Sequence, residues 1–206
     1  FTVEAGRELA RNLNAGALPV PITLVSQQTV GASLGQAAVE KSLIAGLLGL
    51  LLVSLFMVLF YRLPGLVSVA ALFCYALFVL AVFKLWGITL TLAGIAGFIL
   101  SIGMAVDANV LIFERFKEEL RVGKPLSTAL EQGFSRAWLS IRDSNISSII
   151  TCIIMAWFGT SLIKGFAITL AIGILISMLS AITASRTFLR LIMRERLGKH
   201  RFLLGV

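Results

Sequence analysis

Gly97-Phe-Ile-Leu-Ser-Ile-Gly-Met-Ala-Val-Asp-Ala-Asn-Val-Leu-Ile-Phe-Glu114 is apolar enough to lie in lipid, yet it holds Asp107 and Asn109. A carboxylate at that depth costs roughly 2.5–3.5 kcal/mol on insertion scales. It therefore needs a partner, a water-filled cavity or a proton. At about 100° per residue Asp107 shares its face with Ala96, Leu100, Gly103 and Glu114. Gly103, one turn before it, leaves room for water or for a partner side chain. A permanent cation partner is hard to find. No Lys or Arg falls within the apolar core of the other spans, and Arg186 and Arg190 lie at a span end, where they can snorkel away. Asp107 reads as a titratable acid.

The surrounding chain fits a membrane setting. It has 206 residues, 58% of them hydrophobic and 14% charged, and a mean hydropathy of +0.98. A soluble domain is close to half apolar. The expected class is an all-α polytopic bundle of five transmembrane helices over residues 43–193, with spans at about 43–61, 66–83, 88–113, 143–160 and 166–192. Each approaches the roughly 20 residues that a crossing needs. Pro64 and Gly65 separate the first two, and Trp86 marks an interfacial connector after the second. Residues 1–30 read as the end of a truncated α+β domain: a helix over 3–13 stopped by Asn14 and Gly16, then a strand over 22–30. Residues 31–42 approach the membrane. Residues 115–142 are expected as an interfacial loop with a short helix after Pro125. Its Leu130, Phe134, Trp138 and Ile141 would lie apolar face down, with Glu114 and Arg115 ending the third span. Residues 194–206 form a basic tail.

The net charge of +8 follows from this topology rather than from nucleic-acid binding. Lys and Arg crowd the 115–142 segment and the tail, so the N-terminus is expected outside and the C-terminus inside. Cys74 and Cys152 both fall in apolar spans, which argues against a disulfide framework, and no ligand set for a metal is present. His200, the lone histidine, lies in the basic tail as a solvated side chain.

Two spans carry small side chains every fourth residue: Thr89, Ala93, Gly97, Ser101, Ala105 and Asn109 in the third, and Gly165, Thr169, Gly173, Ser177, Ala181 and Ser185 in the fifth. Such ladders let helix backbones approach closely in lipid. Gly103 is a further small residue beside them. Both spans are expected inside a bundle; whether the ladders meet each other is open. Arg142, Asp143 and Asn145 stand at the inner mouth of the fourth span.

From Gly103 to Leu120 the chain resembles the SecD branch of the SecD/SecF family of protein-export membrane proteins, within the resistance–nodulation–division superfamily. Further matches run in order through Ala15–Pro19, Val30–Gly35, Phe60-Tyr-Arg62 with Pro64-Gly-Leu66, Gly94–Gly97, Arg142–Asn145 and Ile163–Ala167. The resemblance implies the foot of a large extracytoplasmic domain plus five spans, that is, half of a pseudo-symmetric membrane domain. It implies a SecF partner, separate or fused, that assists the SecYEG channel and the SecA motor in a late step of preprotein translocation. It implies the proton gradient as energy source, with protons as coupling ion and no other cofactor or catalytic residue. Asp107 matches the family's essential intramembrane acid, and Asn109, Arg142, Asp143 and Asn145 are accessory polar candidates. The location implied is the plasma membrane of a bacterium or archaeon. A small-molecule or lipid exporter of the same superfamily is the competing expectation, although such proteins usually carry paired acids in one span. An intramembrane aspartyl protease needs two carboxylates sharing a proton, and its Gly-x-Gly-Asp signature is absent. A purely structural scaffold leaves the cost of Asp107 unexplained.

Overall fold

The structure, a computed structural model, describes residues 2–16 and 32–192. All regular elements among them are helical: α1 (Val3–Gly16), α2 (Ala32–Leu85), α3 (Leu92–Arg121), α4 (Leu126–Phe158), α5 (Ser161–Ser180), a π-helical turn (Ala181–Ser185) and α6 (Arg186–Ile192). The chain divides into two units, residues 1–36 and 37–206. In the first, α1 runs through Asn14 to Gly16 rather than stopping at 13. The strand expected over 22–30 and the basic tail over 194–206 lie outside the described residues.

Four helices among the described residues are long and apolar enough to cross a membrane, in the stretches Gly35–Leu85, Leu92–Arg121, Leu126–Phe158 and Ser161–Ser180. The sequence predicts five spans. The difference lies in α2, whose 54 residues run on as two helical arms joined at Arg62. At 1.5 Å per residue they would measure about 80 Å, against about 30 Å of hydrocarbon. Arg62 has φ +53° and ψ −116°, left-handed backbone that a non-glycine residue adopts at a cost. Pro64 cannot donate to the preceding turn. A side chain at Gly65 would strike the Met57 carbonyl, so glycine permits the close approach. Away from the joint, Leu43, Gly46 and Leu50 of the first arm, Ala76 and Leu80 of the second, and Ile95, Phe98 and Ile99 of α3 line one apolar groove of about 460 Å³.

Two expectations for the middle of the chain are corrected. α3 does not end at Glu114 and Arg115 but continues to Arg121, and the segment expected as an interfacial loop is helical except for residues 122–125. α4 begins directly after Pro125 and runs unbroken for 33 residues into the fourth span. The physical reason is a protein partner for the apolar face. Leu126, Leu130, Phe134 and Ile141 pack in the same core as Phe113 and Phe116 of α3, so the face covers α3 instead of lipid. Gly133 makes this possible, because a Cβ there would lie 2.8 Å from the Phe116 backbone. Glu119, 3% exposed, seals the turn by accepting from Lys124 and Arg136. The third span also starts later than predicted, at Leu92, because the Thr91 hydroxyl caps the helix by accepting from the Gly94 N–H at 3.1 Å. The fifth starts earlier, at Ser161, and is interrupted by the π-helical turn. Cys74 is an exposed free thiol and Cys152 a buried one.

Candidate functional site: an acid on the open face of α3

Helix α3 has one closed side. Its ladder meets that of α5, and residue numbers rise together along the seam, so the two helices run parallel. A Cβ on Gly165 would lie 3.0 Å from Thr91 Oγ1, and one on Gly97 would lie 2.5 Å from Thr169 Oγ1. A Cβ on Gly173 would collide with Ser101. At the far end the Ser185 hydroxyl donates to Asn109 Oδ1 at 2.7 Å. Ser185 belongs to the π-helical turn, a form that widens the helix locally and recurs at functional sites. Ala105, Ser177 and Ala181 are buried as well. Tyr75 ties α2 into this seam. Its hydroxyl donates to Ser101 Oγ at 2.8 Å, with the Gly173 carbonyl oxygen 3.2 Å away as a second acceptor. The Ser101 hydroxyl in turn donates to the Phe98 carbonyl oxygen at 2.6 Å. In lipid each such bond spares a polar group an unsatisfied burial.

The other side of α3 is open. Ala96, Leu100, Gly103 and Asp107 are all exposed, and Glu114 is half-buried. Gly103, expected among the packing residues, is no part of the seam: a Cβ there would meet nothing within 4 Å among the described residues. Its place on the Asp107 face, about 160° round the helix from Ser101 and about 120° from Gly97, removes it from α5. Among the described residues, no ion pair reaches Asp107. Arg186, weighed as a partner, lies instead with its guanidinium 5.8 Å from the Phe134 ring.

One turn and more below Asp107, at the end of the bundle where α3 leaves its apolar stretch, charged groups gather. Lys117, 7% exposed, places Nζ 4.4 Å from the Tyr61 ring centre and 3.8 Å from Glu114 Oε1. This joins the end of the first α2 arm to α3. The accessory candidates of α4 divide. Arg142 donates to Asp143 Oδ1 at 2.9 Å, and both side chains are exposed. Asn145 is buried and donates to the Ile141 carbonyl of its own helix at 2.8 Å. The structure thus brings Asn109 to the α5 seam, leaves Asp107 on the open face, and turns Asn145 inward while Asp143 faces out.

Sequence reasoning missed Tyr75, the π-helical turn and a row of exposed hydroxyls on α4: Ser140, Ser144, Ser147 and Thr151. The row is spaced by four, three and four residues, which keeps it on one face of the helix and was legible from the sequence.

The comparisons agree with this architecture. The family model for "Protein export membrane protein SecD/SecF, C-terminal" matches residues 13–195. The chain is 58% identical over 196 residues to protein translocase subunit SecD of Thermobaculum terrenum, covering 93% of this chain and 38% of that protein. It is 55% identical over 192 residues to the same subunit of a Synechocystis species, covering 93% of this chain and 41% of that protein. The chain therefore spans about two fifths of the length of these curated relatives. Among solved structures, SecDF from Thermus thermophilus, described as a translocon-associated membrane protein, superposes with a TM-score of 0.80 at 38% identity, covering 97% of this chain and 27% of the other. The bundle with its open acid face is a membrane portion of the SecD/SecF family, to which this chain belongs.

Proposed function

We propose that this chain is the membrane part of a proton-driven SecD-type subunit that promotes a late stage of preprotein translocation, and that Asp107 is its proton relay. The observation that carries the reading is the exposed carboxylate beside open space at Gly103, on a helix with the length and composition of a membrane span. Lipid does not tolerate an ionised carboxylate, so that face needs a cover. A SecF-like half, separate or fused, would supply it, together with the basic partner that the described residues do not bring to Asp107. The two arms of α2 would each cross the membrane, which makes five crossings. The Lys and Arg distribution then puts the N-terminal segment outside and the C-terminus in the cytoplasm of a bacterium or archaeon. SecYEG, SecA and the preprotein are the partners in this reading.

The chemistry is a protonation equilibrium and needs no catalytic residue. Water on one side delivers a proton to the Asp107 carboxylate, giving the neutral acid. The neutral acid fits a low-dielectric packing that the anion disfavours. Release to water on the other side restores the anion. Each charge moved across the membrane supplies about 2.3 kcal/mol per 100 mV, so a long pulling stroke takes several protons. The test uses the full-length protein with its partner half in reconstituted vesicles. Asp107→Asn keeps the shape but cannot ionise, and should reduce proton-motive-force-dependent preprotein translocation at least tenfold. Undiminished stimulation by the gradient in that variant contradicts the relay.

A further inference from the structure

Helix α6 opens on a cation that the bundle leaves without an anion. Arg186 is half-buried, and its guanidinium lies 5.8 Å from the centre of the Phe134 ring on α4. Contact with a ring does not satisfy its five N–H donors as oxygens would. Among the described residues, no oxygen accepts from them and no carboxylate pairs with them. A guanidinium held in this way keeps a planar fork of donors ready for an oxyanion.

Arg186 lines a cavity of about 370 Å³ together with Glu131, Phe134, Ser135 and Trp138. The four α4 residues are spaced by three, one and three, which puts them on one face of the helix. Ser135 and Trp138 add a hydroxyl and an indole N–H, and neither donates to a described residue. The cavity has room for about twelve water-sized groups at roughly 30 Å³ each, enough for a phosphate with a short amine arm. Glu131 is the one carboxylate among these residues. It is engaged within the chain, and its two oxygens accept more than one donor. It stands about one helical turn before Phe134, on the side away from the membrane span. One end of the cavity therefore offers donors and the other an acceptor.

Depth decides the kind of anion. Helix α5 has 20 residues, about 30 Å at 1.5 Å per residue, which matches the hydrocarbon core. Arg186 is the sixth residue after Ser180 and so lies about 8 Å beyond that core, at the level of the headgroups. Arg and Trp anchor helices at that level, and basic pockets between helix ends take phospholipid headgroups. The carboxylate of Glu131 then favours a headgroup whose phosphate carries an ammonium beyond it.

We infer that the cavity between α4 and α6 binds the headgroup of a zwitterionic phospholipid, with its phosphate on Arg186 and its ammonium toward Glu131. The inference stands on the membrane setting of the chain and not on the proton chemistry of Asp107.

The experiment uses the full-length protein with its partner half, stripped of lipid in detergent and titrated with phosphatidylethanolamine or phosphatidylglycerol. Native mass spectrometry counts the lipid bound, and each variant is checked for co-purification of the partner half. The unaltered complex should bind phosphatidylethanolamine at about fivefold lower concentration than phosphatidylglycerol. Arg186→Gln should raise the phosphatidylethanolamine concentration needed at least tenfold. Arg121→Gln, which removes an exposed charge elsewhere, should leave it unchanged. Ser135→Phe fills the cavity from an exposed position with Arg186 in place, and should weaken binding as much as Arg186→Gln. It keeps the test sharp if Arg186→Gln disturbs assembly. Glu131→Gln should remove the preference over phosphatidylglycerol, and a preference kept in that variant overturns the place given to the ammonium. Equal binding by the unaltered complex and Ser135→Phe overturns the site. An equal loss in Arg121→Gln shows general charge attraction and overturns it as well. Displacement of the lipid by inorganic phosphate at the same concentration overturns the lipid as occupant. None of these outcomes depends on the activity of Asp107→Asn, so the two readings fail separately.

Discussion

The two faces of α3 differ more than two faces of one helix usually do. Toward α5, every glycine is filled by its neighbour: Gly97 by Thr169 and Gly173 by Ser101. Toward the Asp107 side, Gly103 faces open space, and the acid next to it lacks an ion-pair partner among the described residues. Both faces use small residues. On one they bring backbones together, and on the other they leave room. A glycine in a membrane helix therefore has no fixed meaning until its neighbours are known.

The contrast can be broken at single positions. The largest effect is expected from Gly173→Leu, which drives a side chain into Ser101 and the Tyr75 hydroxyl. Overpacking costs about 1–3 kcal/mol where neighbours can yield, and here a helix backbone must move. The full-length variant should fail to accumulate in membranes or should lose most of its folded fraction in detergent, measured by fluorescence-detected size exclusion. Normal accumulation and elution would show that the seam is looser than described. Gly103→Leu is the converse. It should leave the amount and melting temperature of the protein nearly unchanged while lowering gradient-dependent translocation at least tenfold, because it fills the space beside Asp107. If Gly103→Leu unfolds the protein, the face is not open. Gly133→Val should fall between the two, parting α3 from α4 at Phe116 and lowering the melting temperature by several degrees. The smallest effect belongs to Tyr75→Phe, which removes one hydroxyl but keeps the ring. Interhelical hydrogen bonds in membranes average about 0.6 kcal/mol, so a loss near that size is expected in an unfolding titration. A loss several times larger would make Tyr75 a central pin.

The same comparison separates what could be read in the chain from what could not. The ladders of α3 and α5 were legible because a four-residue period of small side chains has one structural use in lipid. The Asp107 face was legible from 3.6-residue geometry alone, and its members are exposed together or nearly so. The partner of each ladder was not legible, since a single helix does not encode which neighbour it meets. Residues 114–142 show the same gap. Their charges read as a loop, and the apolar row Leu130, Phe134, Ile141 reads equally well as lipid-facing or protein-facing. Only the backbone contact of Gly133 with Phe116 decides for protein. The joint at Arg62 was legible through Pro64 and Gly65, but the left-handed backbone at an arginine carries no sequence signal. Nor does the π-helical turn, whose Ser185 donates to Asn109 of α3.

The central claim is that a carboxylate on the open face of α3 gains and loses a proton during transport. Proton entry into vesicles holding the full-length protein and its partner half, under an imposed potential and with a preprotein engaged, measures that exchange directly. Asp107→Asn should reduce the potential-driven flux to the level of protein-free vesicles while the complex stays intact. A flux equal to that of the unaltered protein would contradict the account.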